Sequence, residues 1–469
     1  MIGSVDLAHN NISILNRAFM KNKILVLLLL TGGGAYAQSP LDHYTTSTNT
    51  FKEIANSTHQ VNNPQDLDFV PGRQNEWWVL NKEANGGSTV LIFDAGLPTQ
   101  SSQFRRDSHN EHFMARAVAI AFGANNYFVT AQEIQNTAGP GSTFMGPALW
   151  SSDTSIYARQ HQNNWVPGEL LGSHIDMLHQ SPYGMGVAHD NANVYWYFDG
   201  HNGNICKYDF ATPHGVGEDD HSDGKIHRYT DVTVTRKPNV PSHLALDEAN
   251  KWLYIVNGGA NKVMRMKTNT GTVGATLPVP PSGGEPLAEY KAVTGATKED
   301  VVTSGLTSPS GIDYRKDRIV VSDYATGNLY IYNVTTSPAT LVGTIVTGGP
   351  GVMGVRIDYN NRIWYVNATT NKVMRIENPN VLAIDEITPA LSYEVYPNPT
   401  SGEVTINLND LKTGSNAEIR VYDMTGRAVY NTATAGSRTT INTSNWAKGM
   451  YSVALIYNGS STSTRLVVQ

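Results

Sequence analysis

The sequence predicts an all-β protein, a six-bladed β-propeller followed by a small C-terminal β-sandwich. Three observations predict this fold. Charged residues make up only 16% of the 469 residues, while 42 glycines and 22 prolines favour strands joined by many turns. A strand–turn–strand unit recurs through the middle of the chain. The last ~75 residues alternate apolar and polar side chains with a period of two, as half-buried strands do.

The repeated unit occupies residues 61–385. In its four clearest copies an Asp or Asn lies six residues before the first apolar residue of the next strand. The four pairs are Asp199 and Ile205, Asn257 and Val263, Asp323 and Leu329, and Asn367 and Val373. Such a side chain can close a turn by accepting hydrogen bonds from nearby backbone amides. One unit leaves an apolar face that it cannot bury alone, so the units are expected to stack around an axis.

Two eroded copies precede the four clear ones, which gives six blades and leaves a count of seven open. The clear copies resemble NHL repeats, whose pattern is Pro-x-Gly-Ile-x-x-Asp, a strand, an Asp, and then Asn-x-Ile or Asn-x-Val. Matching stretches include Leu244-Ala-Leu-Asp247 and Asn261-Lys-Val263. In such a ring the N-terminal segment 38–60 is expected to close the circle, with Phe51 to Ile54 as the outer strand of the last blade.

The N-terminus predicts export. After Met20 and a short basic stretch, seven apolar residues from Ile24 to Leu30 lead to an Ala35-x-Ala37 end. This pattern predicts a signal peptide that begins at residue 20 and is cleaved after Ala37, with an upstream extension before it in residues 1–37. Seven apolar residues are far fewer than the ~20 that a transmembrane helix needs, so no transmembrane segment is expected.

Composition excludes several classes of partner and cofactor. The net charge of −6, with no basic run after the first 25 residues, argues against a nucleic-acid partner. The single cysteine, Cys206, excludes an intrachain disulfide and any site with several cysteine ligands.

The C-terminal segment carries three motifs in order after a predicted linker at 386–395. They are Tyr396-Pro-Asn-Pro399, the Val421-Tyr-Asp-x-x-Gly-Arg427 hairpin and the Gly449-x-Tyr451 strand. Together they resemble the type A C-terminal sorting domain of the type IX secretion system, over roughly residues 391–469, with the sandwich itself at 396–469. The resemblance implies a Bacteroidetes-type bacterium, the type IX secretion machinery as partner, and a secreted or outer-membrane-surface protein.

In a propeller, the residues just before each inner strand surround the mouth of the central channel. Six such positions form the predicted ligand-binding set, namely Gln65, Arg116, Met185, Ser242, Ser310 and Met353. An enzyme branch of this fold, resembling peptidylglycine amidating lyase, places three zinc-binding histidines there. None of the six is a histidine, and His243, one residue later, cannot alone hold a zinc ion that takes three protein ligands.

Eight of the fourteen histidines fall in residues 174–243, and several carboxylates lie among them. The candidate metal ligands are His189, His201, His214, Asp219, Asp220, His221 and Asp223. Such donors could hold Ca²⁺ through oxygen or a transition metal through nitrogen. The alternative is a solvated loop whose carboxylates cap turns. His174, Asp176 and His179 are catalytic candidates, since His174 and Asp176 could form an acid–base pair, although such histidines are often structural.

Three functions therefore stay open. The first is a secreted or cell-surface propeller that binds an extracellular ligand or partner at the channel mouth. The second is a metal-dependent lyase or hydrolase that uses the His/Asp-rich loops of blades two to four, and a scaffolding role is a third possibility. The chain contains no Gly-x-Ser-x-Gly, His-Glu-x-x-His or phosphate-binding Gly-rich motif, so the sequence does not decide whether the protein is an enzyme.

Overall fold

The computed structural model describes residues 39–469 except 74, 125, 137–142, 160–170, 219, 280–285, 382–392, 409–416, 425–426, 435 and 458–459. The predicted signal peptide, Asp219 and most of the predicted linker lie outside these residues. Strands dominate the described chain, and its α-helix, α1, is the short segment Asn110–Phe113. None of the helices in the described ranges has the length and apolar character needed to span a membrane.

Six sheets form the blades, each built mainly from consecutive antiparallel strands. The strands of the first half are β1 (Thr50–Ala55), β2 (Pro64–Phe69), β3 (Trp77–Lys82), β4 (Gly87–Phe93), β5 (Ser101–Arg105), β6 (Ala117–Phe122), β7 (Tyr127–Gln132), β8 (Ala148–Ser151), β9 (His174–Met177), β10 (Gly184–Asn191), β11 (Val194–Asp199), β12 (Asn204–Asp209) and β13 (Lys225–Thr233). The second half contains β14 (Leu244–Asp247), β15 (Trp252–Asn257), β16 (Lys262–Lys267), β17 (Thr272–Thr276), β18 (Glu289–Thr294), β19 (Lys298–Val302), β20 (Pro309–Arg315), β21 (Arg318–Asp323), β22 (Asn328–Asn333), β23 (Thr340–Val346), β24 (Val352–Ile357), β25 (Ile363–Asn367) and β26 (Lys372–Glu377).

The inner strands show that the sheets form a closed ring. They are β2, β6, β10, β14, β20 and β24, and each lies against the next, with β24 against β2. Aromatic side chains fill the spaces between blades; Trp77 of blade 1 stacks on Trp364 of blade 6 with ring centroids 4.3 Å apart. The predicted six-bladed propeller is confirmed.

Strand β1 joins the two ends of the propeller. It pairs antiparallel with β26, so that Phe51 lies opposite Ile376 and Glu53 opposite Met374. The last blade therefore has the order β1-β26-β25-β24 and contains chain from both ends of the ring. The ring can therefore open only if the backbone hydrogen bonds between β1 and β26 break.

Blade 3 is larger than the others. The hairpin of β17 and β18 lies in sequence between β16 and β19 of blade 4, but β18 pairs in parallel with β13 of blade 3. Blade 3 therefore has six strands, two of which come from the chain segment between strands of blade 4.

Aspartates bridge neighbouring inner strands, which in a propeller are too splayed to form a continuous ladder. Asp66 and Asp68 of β2 accept hydrogen bonds from the backbone N–H groups of Ile120 and Phe122 on β6, at 3.1 and 2.9 Å. Asp313 of β20 accepts one from the next blade in the same way, from the N–H of Ile357, at 2.7 Å. These bonds satisfy backbone donors that would otherwise lack partners in the interior.

The C-terminal domain consists of two sheets. Its strands are β27 (Tyr393–Tyr396), β28 (Glu403–Leu408), β29 (Ala417–Asp423), β30 (Ala428–Thr434), β31 (Arg438–Asn442), β32 (Gly449–Tyr457) and β33 (Ser460–Val468). One sheet has the order β27-β28-β31 and the other β30-β29-β32-β33. Buried side chains of both sheets, including Val404, Ile419 and Val453, share one core. The first strand begins at Tyr393, inside the segment predicted as linker.

Candidate functional site

A pocket of about 400 Å³ opens at the end of the ring where the predicted channel mouth lies. Three of the six predicted mouth residues, Gln65, Arg116 and Met353, line it. The other lining residues are Asn63, Lys82, Glu83, Ala84, Asn239, Tyr324, Ala368 and Thr369. They come from loops between the second and third strands of a blade or from connections between blades, and an antiparallel meander places both kinds of loop at the same end.

The remaining three predicted mouth residues, Met185, Ser242 and Ser310, are fully buried and do not line this pocket. Here the inner strands touch directly, because Ser242 N donates to Met185 O and His243 N donates to Ser310 O, both at 2.9 Å. Gly186 permits this approach, since a Cβ at that position would lie 2.2 Å from Ser242 O. The mouth is therefore open over one half of the ring and packed shut over the other.

Arg116 supplies a cation to the pocket. Its Nη2 donates to Asn239 Oδ1 at 3.0 Å, and the part of the chain that the structure describes places no carboxylate within ion-pairing distance of it. Its backbone has a φ of 51°, a left-handed conformation that costs a non-glycine residue of order 1 kcal/mol. Hydrogen bonds hold it there, from its N–H to Gly86 O and from Glu133 N–H to its carbonyl.

The second lining cation, Lys82, is neutralised. Its Nζ lies 2.5 Å from Glu133 Oε2, and both side chains are buried. Burial lowers the pKa of Lys82, and the nearby Arg116 and Arg236 lower it further, against the attraction of Glu133. Glu133 Oε1 also accepts from Asn239 N–H at 2.7 Å. Arg236 Nη1 also lies 3.4 Å from Glu133 Oε1, so this carboxylate is shared between two cations. Arg116 is the lining cation that has no carboxylate partner among the described residues.

Below the pocket, charged side chains fill the axis. Arg356 of blade 6 lies 3.3 Å from Asp66 and 3.5 Å from Asp68, both of blade 1. His243, which precedes the inner strand of blade 4, lies with Nδ1 3.6 Å from Asp66 Oδ1. Blades 1 and 4 are opposite each other in a ring of six, so this contact closes the channel at that depth.

A second polar cluster lies between blades 2 and 3. Asp176 Oδ2, His214 Nε2 and Asp223 Oδ1 are all within 4.8 Å of one another. Asp176 lies on β9 and is completely buried, whereas His214 and Asp223 belong to the connection between β12 and β13 and are partly exposed. His221 of the same connection contacts Asp176 through Nδ1, 2.5 Å from Oδ1. Burial raises the pKa of Asp176, and the hydrogen bond from His221 opposes the rise.

The catalytic candidates do not form the predicted pair. His174 Nδ1 donates to Leu171 O at 2.7 Å, and its ring stacks on Phe113 at 3.6 Å. Burial lowers the pKa of His174 to about 3, so it is neutral at neutral pH. Asp176 bonds His221 instead, and His179 stacks on Phe144.

The candidate metal ligands separate into two groups. His214, His221 and Asp223 come together around Asp176. His189 Nε2 bonds Ala192 O within its own hairpin, His201 N–H donates to Asp199, and Asp220 accepts from Ser222 N–H. The sequence did not indicate Asp176 as a metal ligand, or Lys82 and Asn239 as pocket residues. All three make the relevant contacts with residues of other blades, and no local sequence pattern records such contacts.

The C-terminal domain matches a known family. Residues 394–469 match the family of secretion system C-terminal sorting domains. The protein is secreted or located at the cell surface. The match agrees with the three C-terminal motifs and with a role of this domain in engaging the type IX secretion machinery. The search of curated proteins returned no match.

The solved structures that resemble this chain have low sequence identity to it. PorZ, a surface component of the type IX secretion system of Porphyromonas gingivalis, is 15% identical with a TM-score of 0.35, over 84% of this chain and 58% of PorZ. An auxiliary nutrient binding protein from Bacteroides ovatus is 10% identical with a TM-score of 0.44, over 70% and 76%. Regucalcin, a calcium-binding protein from Agrobacterium tumefaciens, is 12% identical with a TM-score of 0.38, over 66% and 88%.

Proposed function

We propose that this exported propeller binds a small anionic ligand, an acidic sugar or a related carboxylate, in the pocket at the channel mouth. The observation that carries the proposal is the Arg116 guanidinium, which lines the pocket with a neutral amide, Asn239, as its side-chain partner. A guanidinium binds a carboxylate through two parallel hydrogen bonds, which is both strong and specific.

The charge balance of the wall supports an anion. Lys82 is paired with Glu133, which Arg236 also contacts at 3.4 Å, and Glu83 is paired with Arg106 at 2.7 Å. The wall therefore has an excess of positive charge, and Arg116 is its cation without a carboxylate partner among the described residues, in a protein whose overall net charge is −6. An anion in this pocket would complete an ion pair that the protein itself leaves open.

The other lining groups suit a polyhydroxylated molecule. Asn63, Gln65 and Asn239 offer amide donors and acceptors, and Tyr324 and Met353 add apolar surface. Gln65 Nε2 donates to Asn63, but Gln65 Oε1 has no hydrogen-bond partner among the described residues. The volume of about 400 Å³ lies at the lower end of ordinary ligand sites, ~300–1,000 Å³, and is large enough for a monosaccharide or disaccharide.

A comparison of a charged sugar with its neutral counterpart tests the proposal. D-galacturonate and D-galactose would be titrated calorimetrically into the wild type, Arg116→Gln and the control Arg427→Gln. Arg427 is an exposed arginine of the C-terminal domain. A charged hydrogen bond contributes ~1.5–3 kcal/mol, so galacturonate should bind about tenfold or more tightly than galactose, and Arg116→Gln should remove that preference. Equal binding of the two sugars, or a preference that survives in Arg116→Gln, would contradict the proposal.

A further inference from the structure

We propose that Asp176, His214 and Asp223 form a binding site for one divalent transition-metal ion of the zinc type, between blades 2 and 3. The site is separate from the pocket at the channel mouth and does not depend on the function proposed for it.

The three donor atoms converge. His214 Nε2 lies 3.3 Å from Asp223 Oδ1 and 3.8 Å from Asp176 Oδ2. Zinc–ligand bonds of ~2.0–2.1 Å in a tetrahedral site place donor atoms about 3.3 Å apart. The observed spacings therefore need only a small inward movement of two side chains, both of which belong to the same connection of blade 3.

The buried carboxylate of Asp176 is the strongest indication that an ion binds here. Asp176 is completely buried, and its Oδ2 has no hydrogen-bond partner among the described residues. His214 Nε2 and Asp223 Oδ1 also make no hydrogen bond of normal geometry within that part of the chain. Unsatisfied buried polar atoms are rare and each one calls for an explanation, such as an ion. These three face one another.

His221 holds Asp176 in the required orientation. Its Nδ1 bonds Oδ1 of the carboxylate, which leaves Oδ2 directed at the other two donors. Hydrogen bonds of this kind to a ligating carboxylate orient it and are a regular part of metal sites. His221 is therefore a positioning residue rather than a ligand in this proposal.

The donor set favours a transition metal over calcium. Ca²⁺ takes six to eight oxygen ligands, whereas this cluster offers two carboxylates and an imidazole nitrogen. A mixed nitrogen and oxygen set suits Zn²⁺ and its neighbours in the first transition row. Three protein ligands leave a coordination position for water, as in catalytic zinc sites.

Metal titration of the chelator-treated full chain tests the proposal. Calorimetric titration with Zn²⁺ should show one equivalent bound. His214→Gln and Asp223→Asn should each weaken binding at least tenfold, because the substituted side chains are partly exposed and their loss should leave the fold intact. The matched control His227→Gln removes a histidine of the same blade that pairs with Glu289, and binding should not change. Circular dichroism of each variant checks that it folds.

A second measurement makes the test independent of the variants. Co²⁺ bound to the wild type in place of Zn²⁺ should give the visible absorption of a low-symmetry four- or five-coordinate ion, and Zn²⁺ should abolish it. Three results would overturn the proposal: no stoichiometric Zn²⁺, binding that His214→Gln and Asp223→Asn leave unchanged, or Ca²⁺ bound more tightly than Zn²⁺. In the first case a hydrogen on His214 Nε2, directed at the two carboxylates, would account for the cluster.

Discussion

Asp66 and His243 face each other across the axis of the ring, with 3.6 Å between the carboxylate oxygen and the imidazole nitrogen. They belong to opposite blades, and Arg356 of a third blade contacts the same carboxylate. Arg356 and the carboxylates around it, Asp66, Asp68 and Asp313, carry the charge at the centre of the propeller, whereas burial lowers the pKa of His243 and so favours its neutral form. Removing one charged member of such a cluster destabilises the protein, because the others remain buried without a counter-charge.

Replacing Arg356 should test this directly. Arg356→Leu leaves Asp66, Asp68 and Asp313 without their shared cation, and the free energy of unfolding should fall by ~3–5 kcal/mol. Urea unfolding followed by tryptophan fluorescence measures the change. The control Arg427→Leu removes an exposed arginine and should cost less than ~1 kcal/mol. If Arg356→Leu lowered the free energy of unfolding by less than ~1 kcal/mol, the central carboxylates would not need Arg356 as their counter-charge.

The Asp68 carboxylate should make stability depend on pH. Burial raises its pKa from 3.8 to about 6, against the attraction of Arg356. The native state therefore holds this proton more tightly than the unfolded state does. Its contribution to stability is full below about pH 4 and is lost as the pH rises through 6.

The matched comparison is with Asp68→Asn, which cannot titrate. The stability of the wild type relative to Asp68→Asn should fall by up to ~3 kcal/mol between about pH 4 and about pH 7. Thermal unfolding of both proteins across this range measures it. A difference that is constant, or that grows with pH, would rule out the raised pKa.

Strand β1 offers a test of ring closure within one element. Ile54 is buried among side chains of blades 1 and 6, whereas Phe51 is 39% exposed. Ile54→Ala should lower the free energy of unfolding by ~2–4 kcal/mol, and Phe51→Ala by less than ~1 kcal/mol. Urea unfolding compares the two. Equal effects would mean that the strand does not anchor the ring through Ile54.

The C-terminal domain should be required for export. Among the described residues, its strands pair only with one another and share no sheet with the blades. A chain ending at residue 391 should therefore keep the propeller but accumulate in the periplasm. The full chain should reach the cell surface or the medium. Cell fractionation and immunoblotting distinguish these locations. Normal export of the shortened chain would show that the sorting domain is dispensable.

The repeat predicted the blades because its cause is local. Of the four Asx residues, Asn257 accepts from the N–H of Thr235, outside its own turn. The other three, such as Asp323, which accepts from the N–H groups of Ala325 and Thr326, close a turn within their own blade. Such contacts are between residues close in the chain, so their spacing survives in the sequence. The parallel pairing of β18 with β13 joins segments more than sixty residues apart in the chain and left no such spacing.

The sequence by itself determined the propeller, the sorting domain and a histidine-rich region that holds candidate ligands. Only the tertiary structure decided which polar groups meet. Because neighbouring blades pack side by side, Asp176 lies close to His214 and Asp223, and Arg116 and Lys82 line the same pocket. Periodicity records which face of a strand is buried, but contacts between blades depend on how whole sheets are packed, and no local pattern encodes that geometry.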